Sequence, residues 1–220
     1  MFVKVCGTTN EEDALLAVAM GADAVGFIFA PSSRQVAPMV VRDIVRRLPS
    51  EILTVGVFRD EVPERVVEIV HQTGLRAAQL HGHESVEQLQ RVKERVPYVF
   101  KAFAAGDRAV RKARQYGAAA ILVDNPTPGS GQVFDWSLAE DVPGGLRLVL
   151  AGGLGADNVA DAIATVKPWG VDACSALESS PGHKDARKVH AFVAAAKEAG
   201  ERLRPDAPEG PAPFDWMDDE

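Results

Sequence analysis

Short runs of apolar and β-branched residues recur along most of the chain, and segments with helical periodicity separate them. Runs of this kind are typical of strands that are buried on both faces of a parallel sheet. The pattern therefore predicts eight strands: Phe2–Cys6, Ala24–Phe27, Ile52–Phe58, Ala77–Leu80, Val99–Phe103, Ala119–Asp124, Arg147–Ala151 and Val171–Ser175.

The segments between these runs predict amphipathic helices. One apolar stripe consists of Val40, Val41, Ile44, Val45 and Leu48, and another of Val189, Phe192, Val193 and Ala196. Asn10 is followed by three acidic residues, which fits a helix N-cap with acids in the first turn. After the sixth strand only a short piece near Trp136–Ala139 has a helical pattern.

A succession of strand–helix units over about 200 residues predicts a single closed (β/α)₈ TIM barrel. The alternative is an open doubly wound sheet, which usually carries G-x-G-x-x-G after its first strand. Here the first turn is "CGTTNEED", so the barrel is favoured. From Glu201 the chain is rich in proline and acid and has no periodicity, which predicts a barrel over 1–200 and a flexible tail over 201–220.

The composition narrows the class of protein. The chain has 220 residues, of which 46% are hydrophobic, and a formal charge of −7, which argues against a nucleic-acid partner. No apolar run approaches the roughly 18 residues that span a membrane, and the N-terminus lacks the pattern of a signal peptide. Two cysteines are too few for a disulfide scaffold, so we expect a cytoplasmic protein with a small-molecule partner and no membrane partner.

In such barrels the active site lies at the carboxyl ends of the strands. Cys6 ends the first strand, where it is either a small buried hydrophobe or a thiol facing the mouth of the barrel. The helix N-terminus that follows would favour the thiolate. Asp124 ends the sixth strand after a run of apolar residues, as a candidate general acid or as an Asx-turn residue before Pro126.

Other strand ends carry further candidates. Arg34 lies in a Pro/Ser loop, as a clamp for a carboxylate or phosphate or as a solvated arginine. His81 follows the fourth strand and is ambiguous by itself. Gly152, Gly153 and Ser175 follow strands seven and eight, where barrels commonly bind phosphate. We find no metal-ligand cluster and no nucleotide fingerprint in the sequence, so no cofactor is expected and proton transfer on a sugar phosphate is favoured.

The chain resembles the phosphoribosylanthranilate isomerase family of tryptophan biosynthesis from about residue 3 to about residue 197. The segments that carry the resemblance are "KVCGTTNEEDALLAVAMGADAVGFIFAPSSRQVAP", "VGVF", "AQLHG", "LVDNP", "GSGQVFDWSL", "LVLAGGLGADNVADAI" and "GVDACSALESSPGHKD". They occur in the family's order and with family-like spacing. The tail after Glu201 is outside the resemblance.

The resemblance implies a (β/α)₈ barrel that performs an Amadori rearrangement of N-(5-phosphoribosyl)anthranilate, as a monomer or a homodimer. It implies Cys6 as general base, Asp124 as general acid and Arg34 as the residue that holds the anthranilate carboxylate. The remaining implied substrate-binding residues are Gly152, Gly153 and Ser175 near the phosphate, and His81 and Asp172 in the pocket. Two alternatives remain, an isomerase of another ribosyl phosphate and a barrel that binds a phosphorylated ligand without turnover.

Two positions depart from the family pattern. Ala176 stands where the family typically has glycine, which would weaken phosphate binding if the position requires a positive φ or a close approach to the backbone. Cys174 lies at the end of strand eight, next to strand one in a closed barrel, so we expect that oxidation could link it to Cys6.

Overall fold

The computed structural model describes residues 1–125 and 135–203. Eight parallel strands form a closed barrel in chain order, and β1 pairs with both β2 and β8. The strands are β1 Phe2–Val5, β2 Ala24–Ile28, β3 Leu53–Phe58, β4 Ala77–Leu80, β5 Tyr98–Ala104, β6 Ala120–Asp124, β7 Leu148–Leu150 and β8 Gly170–Ala173. The predicted barrel is therefore confirmed.

The helices on the outside of the barrel are α1 Glu11–Ala19, α2 Pro38–Val45, α3 Pro63–Thr73, α4 Val86–Lys93, α5 Val159–Val166 and α6 Ala186–Leu203. The side chain of Asn10 accepts a hydrogen bond from the backbone N–H of Asp13, as expected of an N-cap. The predicted stripe on α6 is buried. On α2, Val41 and Ile44 are buried but Val40 is 45% exposed, because the face that packs on the sheet is narrower than the predicted stripe.

Two connections contain 3₁₀ helices instead of α-helices, over Arg108–Tyr116 and Trp136–Asp141, and a third 3₁₀ helix over Ser175–Leu177 precedes α6. The second matches the short helical piece predicted after the sixth strand. The third corrects the predicted end of strand eight, since β8 stops at Ala173 and Ser175 begins a helical turn. A small antiparallel ladder that the sequence did not predict follows, β9 Glu178–Ser180 with β10 His183–Lys184.

The C-terminal helix α6 continues to Leu203, past the predicted barrel limit at residue 200. The remainder of the predicted tail, 204–220, lies outside the described residues, and so does the segment 126–134. Within the described ranges, no helix is both long enough and apolar enough to cross a bilayer.

Two apolar layers stabilise the barrel. One lies between the strands and the helices and includes Val3, Val5 and Val171. The other fills the interior and includes Phe2, Leu122 and Val149. Because successive side chains of a strand point to opposite faces, each strand sends every second residue into the interior, up to its carboxyl end.

Candidate active site

Because side chains alternate between the two faces of a strand, the candidate residues at strand ends lie on the interior face of the barrel. Phe2 faces the interior of β1, so Lys4 and Cys6 share that face, while Val3 and Val5 pack against the helices. The same alternation carries Ala120, Leu122 and Asp124 inward along β6. The last inward position of each strand therefore lies at the mouth of the barrel.

A cavity of about 220 Å³ opens at this end of the barrel, and we call it the mouth cavity. Every candidate site residue from the sequence lines it: Cys6, Arg34, His81, Asp124, Gly152, Gly153, Asp172 and Ser175. Cys174 and Ala176 line it as well. The structure thus brings together residues from seven connections and strand ends of the barrel into one concave site.

Cys6 lies immediately after β1, where its N–H donates to Ala173 O at 2.9 Å and continues the ladder with β8. The side chain is 6% exposed but reaches the mouth cavity, so it is neither a core residue alone nor a surface thiol. A hydrogen bond from the Cys174 thiol lowers the pKa of Cys6 well below its usual range. Burial opposes this shift, and the ammonium groups of Lys4 and Lys184 reinforce it.

The pKa of the Cys174 thiol shifts in the opposite direction. Because it donates to the Cys6 sulfur and is itself buried, its pKa is raised well above the usual value. Cys174 is thus the donor and Cys6 the thiolate in this pair.

A buried ion pair lies directly beneath Cys6. Lys4 Nζ is 2.9 Å from Asp172 Oδ2, and the Lys4 side chain is fully buried. Burial raises the pKa of Asp172 to about 7, although the Lys4 charge opposes the shift. The other carboxyl oxygen, Asp172 Oδ1, is buried and has no hydrogen-bond partner among the described residues.

On the β4–β6 side of the cavity, Asp124 is oriented by two groups. Asp124 Oδ2 lies 3.2 Å from His81 Nε2, and Asp124 Oδ1 accepts from the Asn125 N–H at 2.7 Å. His81 Nδ1 is in turn 2.9 Å from Gln79 Nε2. Gln79 and His81 are both inward positions of the β4 register, so one strand supplies the support for the carboxyl group on another.

The loop after β7 is shaped by glycine. Gly152 has a φ of 88°, and a Cβ at this position would lie 2.6 Å from the backbone nitrogen of Asn125. A side chain there would therefore displace the residue that follows Asp124. Asn158 fixes the rest of the loop, because its side chain accepts from Gly155 N and donates to Gly153 O.

Arg34 is held in place by an acidic partner that the sequence did not identify. Its Nε and Nη2 donate to the two carboxylate oxygens of Glu178 at 2.8 and 2.7 Å. Burial would raise the pKa of Glu178, but the ion pairs with Arg34 and Lys184 outweigh it and lower the pKa. Arg34 is thus a preoriented cation at the cavity wall and not a solvated surface arginine.

Lys184, on β10, ties three parts of the site together. Its Nζ donates to Cys6 O at 2.6 Å, to Cys174 O at 3.2 Å and to Glu178 Oε1 at 3.2 Å. The unpredicted β9–β10 ladder therefore positions a lysine under the carboxyl ends of β1 and β8.

The backbone conformation answers the part of the concern about Ala176 that involves a positive φ. Among the described residues other than glycine, only Asp60 and Lys167 have a positive φ, so Ala176 lies in ordinary right-handed or extended backbone. Alanine at this position carries no backbone strain of the kind that glycine would relieve.

Sequence reasoning missed five supporting residues: Lys4, Gln79, Asn158, Glu178 and Lys184. The signal for Lys4 and Gln79 was available, since each lies two residues before a candidate on the same strand and a polar side chain within an apolar run requires a partner. Glu178 and Lys184 carried no comparable signal, because they lie on an element that the hydrophobic pattern does not reveal.

The chain is similar to known proteins over most of its length. A family model described as N-(5'phosphoribosyl)anthranilate (PRA) isomerase matches residues 3–195. An N-(5'-phosphoribosyl)anthranilate isomerase from Desulforudis audaxviator is 46% identical over 204 residues, which cover 90% of this chain and 98% of that protein.

Solved structures agree as well. The phosphoribosyl anthranilate isomerase of Thermus thermophilus superposes with a TM-score of 0.85 at 38% identity, covering 90% of this chain and 99% of that one. A phosphoribosyl anthranilate isomerase in complex with reduced 1-(o-carboxyphenylamino)-1-deoxyribulose 5-phosphate superposes with a TM-score of 0.80 at 39% identity and the same coverage. The chain belongs to the N-(5'-phosphoribosyl)anthranilate isomerase family.

Proposed function

We propose that this chain converts N-(5-phosphoribosyl)anthranilate to 1-(2-carboxyphenylamino)-1-deoxyribulose 5-phosphate, with Asp124 as general acid and Cys6 as general base. The observation that carries the proposal is that the Cys6 thiol and the Asp124 carboxyl line one mouth cavity from strands that β7 and β8 separate. A sugar bound between them would have one group on either side.

The first half of the reaction opens the ribose ring. Protonated Asp124 donates its proton to the ring oxygen while the bond between that oxygen and the anomeric carbon breaks. The lone pair of the anthranilate nitrogen forms the new C=N bond, which gives a Schiff base. His81 supports this step, since its contact with Asp124 Oδ2 orients the carboxyl group.

The second half removes a carbon-bound proton. The Schiff base acidifies the proton on the neighbouring sugar carbon, and the Cys6 thiolate takes it up to form a thiol and an enolamine. Tautomerisation of the enolamine gives the ketone product. A proton transfer by one positioned group typically contributes about 10²–10⁴-fold to the rate.

Two anchors hold the reacting carbons between acid and base. Arg34 uses Nε and Nη2 for Glu178, which leaves Nη1 for the anthranilate carboxylate. The loops that contain Gly152, Gly153 and Ser175 take the phosphate through backbone N–H groups. Asp172 lines the same cavity. The relative solved with the reduced deoxyribulose phosphate supports a phosphorylated ligand of this kind.

The test is turnover of N-(5-phosphoribosyl)anthranilate by the purified protein, followed as loss of the fluorescence of this N-substituted anthranilate. We expect Cys6→Ser and Asp124→Asn each to lower kcat by about 10²-fold or more. The exposed Asp161→Asn is the matched control for the second change. Near wild-type kcat in either active-site variant would refute the assigned role. Tight binding of the reduced product analogue without any turnover by the wild type would instead indicate a binding protein.

We also propose a cytoplasmic enzyme that is a monomer or a homodimer. Both oligomeric states have a precedent, since one solved relative consists of monomers of the dimeric enzyme from Thermotoga maritima. Sedimentation of the purified protein over a range of concentrations distinguishes the two states.

A further inference from the structure

We propose that Lys4 is the positioning residue that keeps the sulfur of Cys6 as a thiolate, with the thiol of Cys174 as the second donor. This inference deepens the function proposed above and rests on it for its catalytic meaning. It assigns a purpose to a charged side chain that is fully buried inside the barrel.

A lysine in this position needs an explanation. The Lys4 side chain has an exposed fraction of 0%, and taking an ammonium group out of water is costly unless anions surround it. Its ammonium group donates to the Asp172 carboxyl at 2.9 Å and also interacts with the sulfur of Cys6. Burial would lower the pKa of Lys4, but these two groups outweigh it and raise the pKa above the usual value, so the ammonium stays charged.

Gly26 on the adjacent strand shows how closely Lys4 and Cys6 approach. A Cβ at Gly26 would lie 2.8 Å from Cys6 Sγ and 3.1 Å from Lys4 Nζ. The sulfur and the ammonium nitrogen therefore occupy the space beside the same glycine, and a residue with any side chain would push them away. The absence of a side chain at Gly26 thus leaves room for Lys4 and Cys6 beside the interior face of β2.

The ammonium group of Lys4 interacts with two acidic groups, the Asp172 carboxyl and the Cys6 thiol, and its charge favours ionisation of the thiol. Burial raises the pKa of Asp172 to about 7, and a negative charge on Cys6 raises it further. The pKa of Cys6 is lowered instead. The pKa values of the two acids thus shift in opposite directions, so the carboxyl of Asp172 competes less than an ordinary carboxylate for the charge of Lys4, which is left to stabilise the sulfur anion that abstracts the proton.

Other charged or titratable groups also face Cys6. Cys174, after β8, donates a hydrogen bond to it, and Lys184, on β10, contributes positive charge. Arg34, from the loop after β2, is close enough for the charge on Cys6 to affect its own pKa. Asp172 is the acidic group on the opposite side, and it disfavours the thiolate. Among these, Lys4 is the cation that is both fully buried and in direct hydrogen-bonding contact with the sulfur.

The test measures the ionisation of Cys6 itself. The chain has two cysteines, so Cys174→Ser leaves Cys6 as its single thiol. In that background we compare Lys4→Met and Asp172→Asn by the thiolate ultraviolet absorbance as a function of pH, and by the rate of alkylation with iodoacetamide at neutral pH. Lys4→Met is expected to move the midpoint upward by at least about one pH unit, toward the ordinary thiol value near 8.5, and to slow alkylation about tenfold.

Asp172→Asn is the discriminating control. It also disrupts the buried pair, so a structural effect alone would move both variants in the same direction. Our proposal requires that the midpoint rises in Lys4→Met but stays or falls in Asp172→Asn. Removing the competing carboxyl leaves the ammonium group of Lys4 to interact with the sulfur alone. If Lys4→Met does not fold, Lys4→Met/Asp172→Asn leaves no unpaired charge and is expected to show the same upward shift.

An unchanged midpoint in the variants that lack Lys4, or an upward shift with Asp172→Asn as well, would overturn the proposal. These measurements use no substrate. A failure of the proposed function, seen as Cys6→Ser with normal turnover, is therefore distinguishable from a failure of this inference.

Discussion

His81 Nε2 lies 3.2 Å from Asp124 Oδ2, and its other ring nitrogen lies 2.9 Å from the side-chain nitrogen of Gln79. Gln79, His81 and Asp124 thus form a continuous chain of side-chain contacts. The carboxyl group is thus oriented by a chain of side chains that begins inside β4. Such support restricts the rotation of the group that must point at the substrate.

Replacing His81 tests this support. His81→Ala is expected to lower kcat about 10²-fold with a smaller change in KM, because Asp124 keeps its chemistry but loses its orientation. His83→Ala is the matched control, since the His83 side chain is 87% exposed and contacts Asp60 instead. A change confined to KM would contradict an orienting role.

Cys6 and Cys174 follow the paired strands β1 and β8 and interact with each other, and their cross-linking stays a prediction from the sequence. With hydrogen peroxide as oxidant, the Cys6 thiolate would attack one peroxide oxygen to give a sulfenic acid and release water. The Cys174 thiol would then displace a second water and close the disulfide. The hydrogen bond between the two sulfurs supports the second step.

We therefore expect peroxide to inactivate the wild type, with a mass decrease that corresponds to the loss of both thiol hydrogens. Dithiothreitol is expected to restore activity. Cys174→Ser is the control, because it has no resolving thiol and excess peroxide would oxidise its Cys6 irreversibly. Inactivation without the mass decrease in the wild type would rule out the disulfide.

Gly152 is predicted to be intolerant of any side chain. Its φ of 88° disfavours other residues, and a Cβ would lie 3.0 Å from Asp124 Oδ1. Gly152→Ala is expected to destabilise the protein by about 1–3 kcal/mol and to lower kcat by shifting Asp124. Gly144→Ala is the control, since a Cβ there would meet nothing within 4 Å. Equal effects of the two substitutions on urea unfolding and on kcat would refute the prediction.

The raised pKa of Asp172 predicts how stability depends on pH. The folded value is about 7 and the ordinary value 3.8, so the folded state retains a proton that the unfolded state loses. The stabilisation from this group is complete below the ordinary value and is lost as the pH rises through about 7. The wild type should therefore lose stability relative to Asp172→Asn over this window, by at most about 1.4 kcal/mol per pH unit. Urea unfolding of both proteins at several pH values gives the difference, and a constant difference would contradict the assignment.

The fold follows from short-range patterns, and these were sufficient to predict it. Strands buried on both faces have continuous apolar runs, so all eight were found to within a few residues. The positions of Cys6 and Asp124 at strand ends then placed them at the mouth, because parallel strands of a barrel all end on the same side. The stripe on α2 was predicted too wide, since a local pattern does not specify which neighbour covers Val40.

The sequence by itself determined the barrel, its mouth and the residues that line it, because alternation along a strand is a local property of the backbone. Only the tertiary structure decided their electrostatic partners. Lys4 meets Asp172 across 168 residues of chain, and Arg34 meets Glu178 across 144. Closure of β8 onto β1 creates the first contact, and the β9–β10 ladder helps to hold the second. A charge is buried or solvated according to the atoms around it in three dimensions, so the protonation states at the site follow from packing that no local pattern encodes.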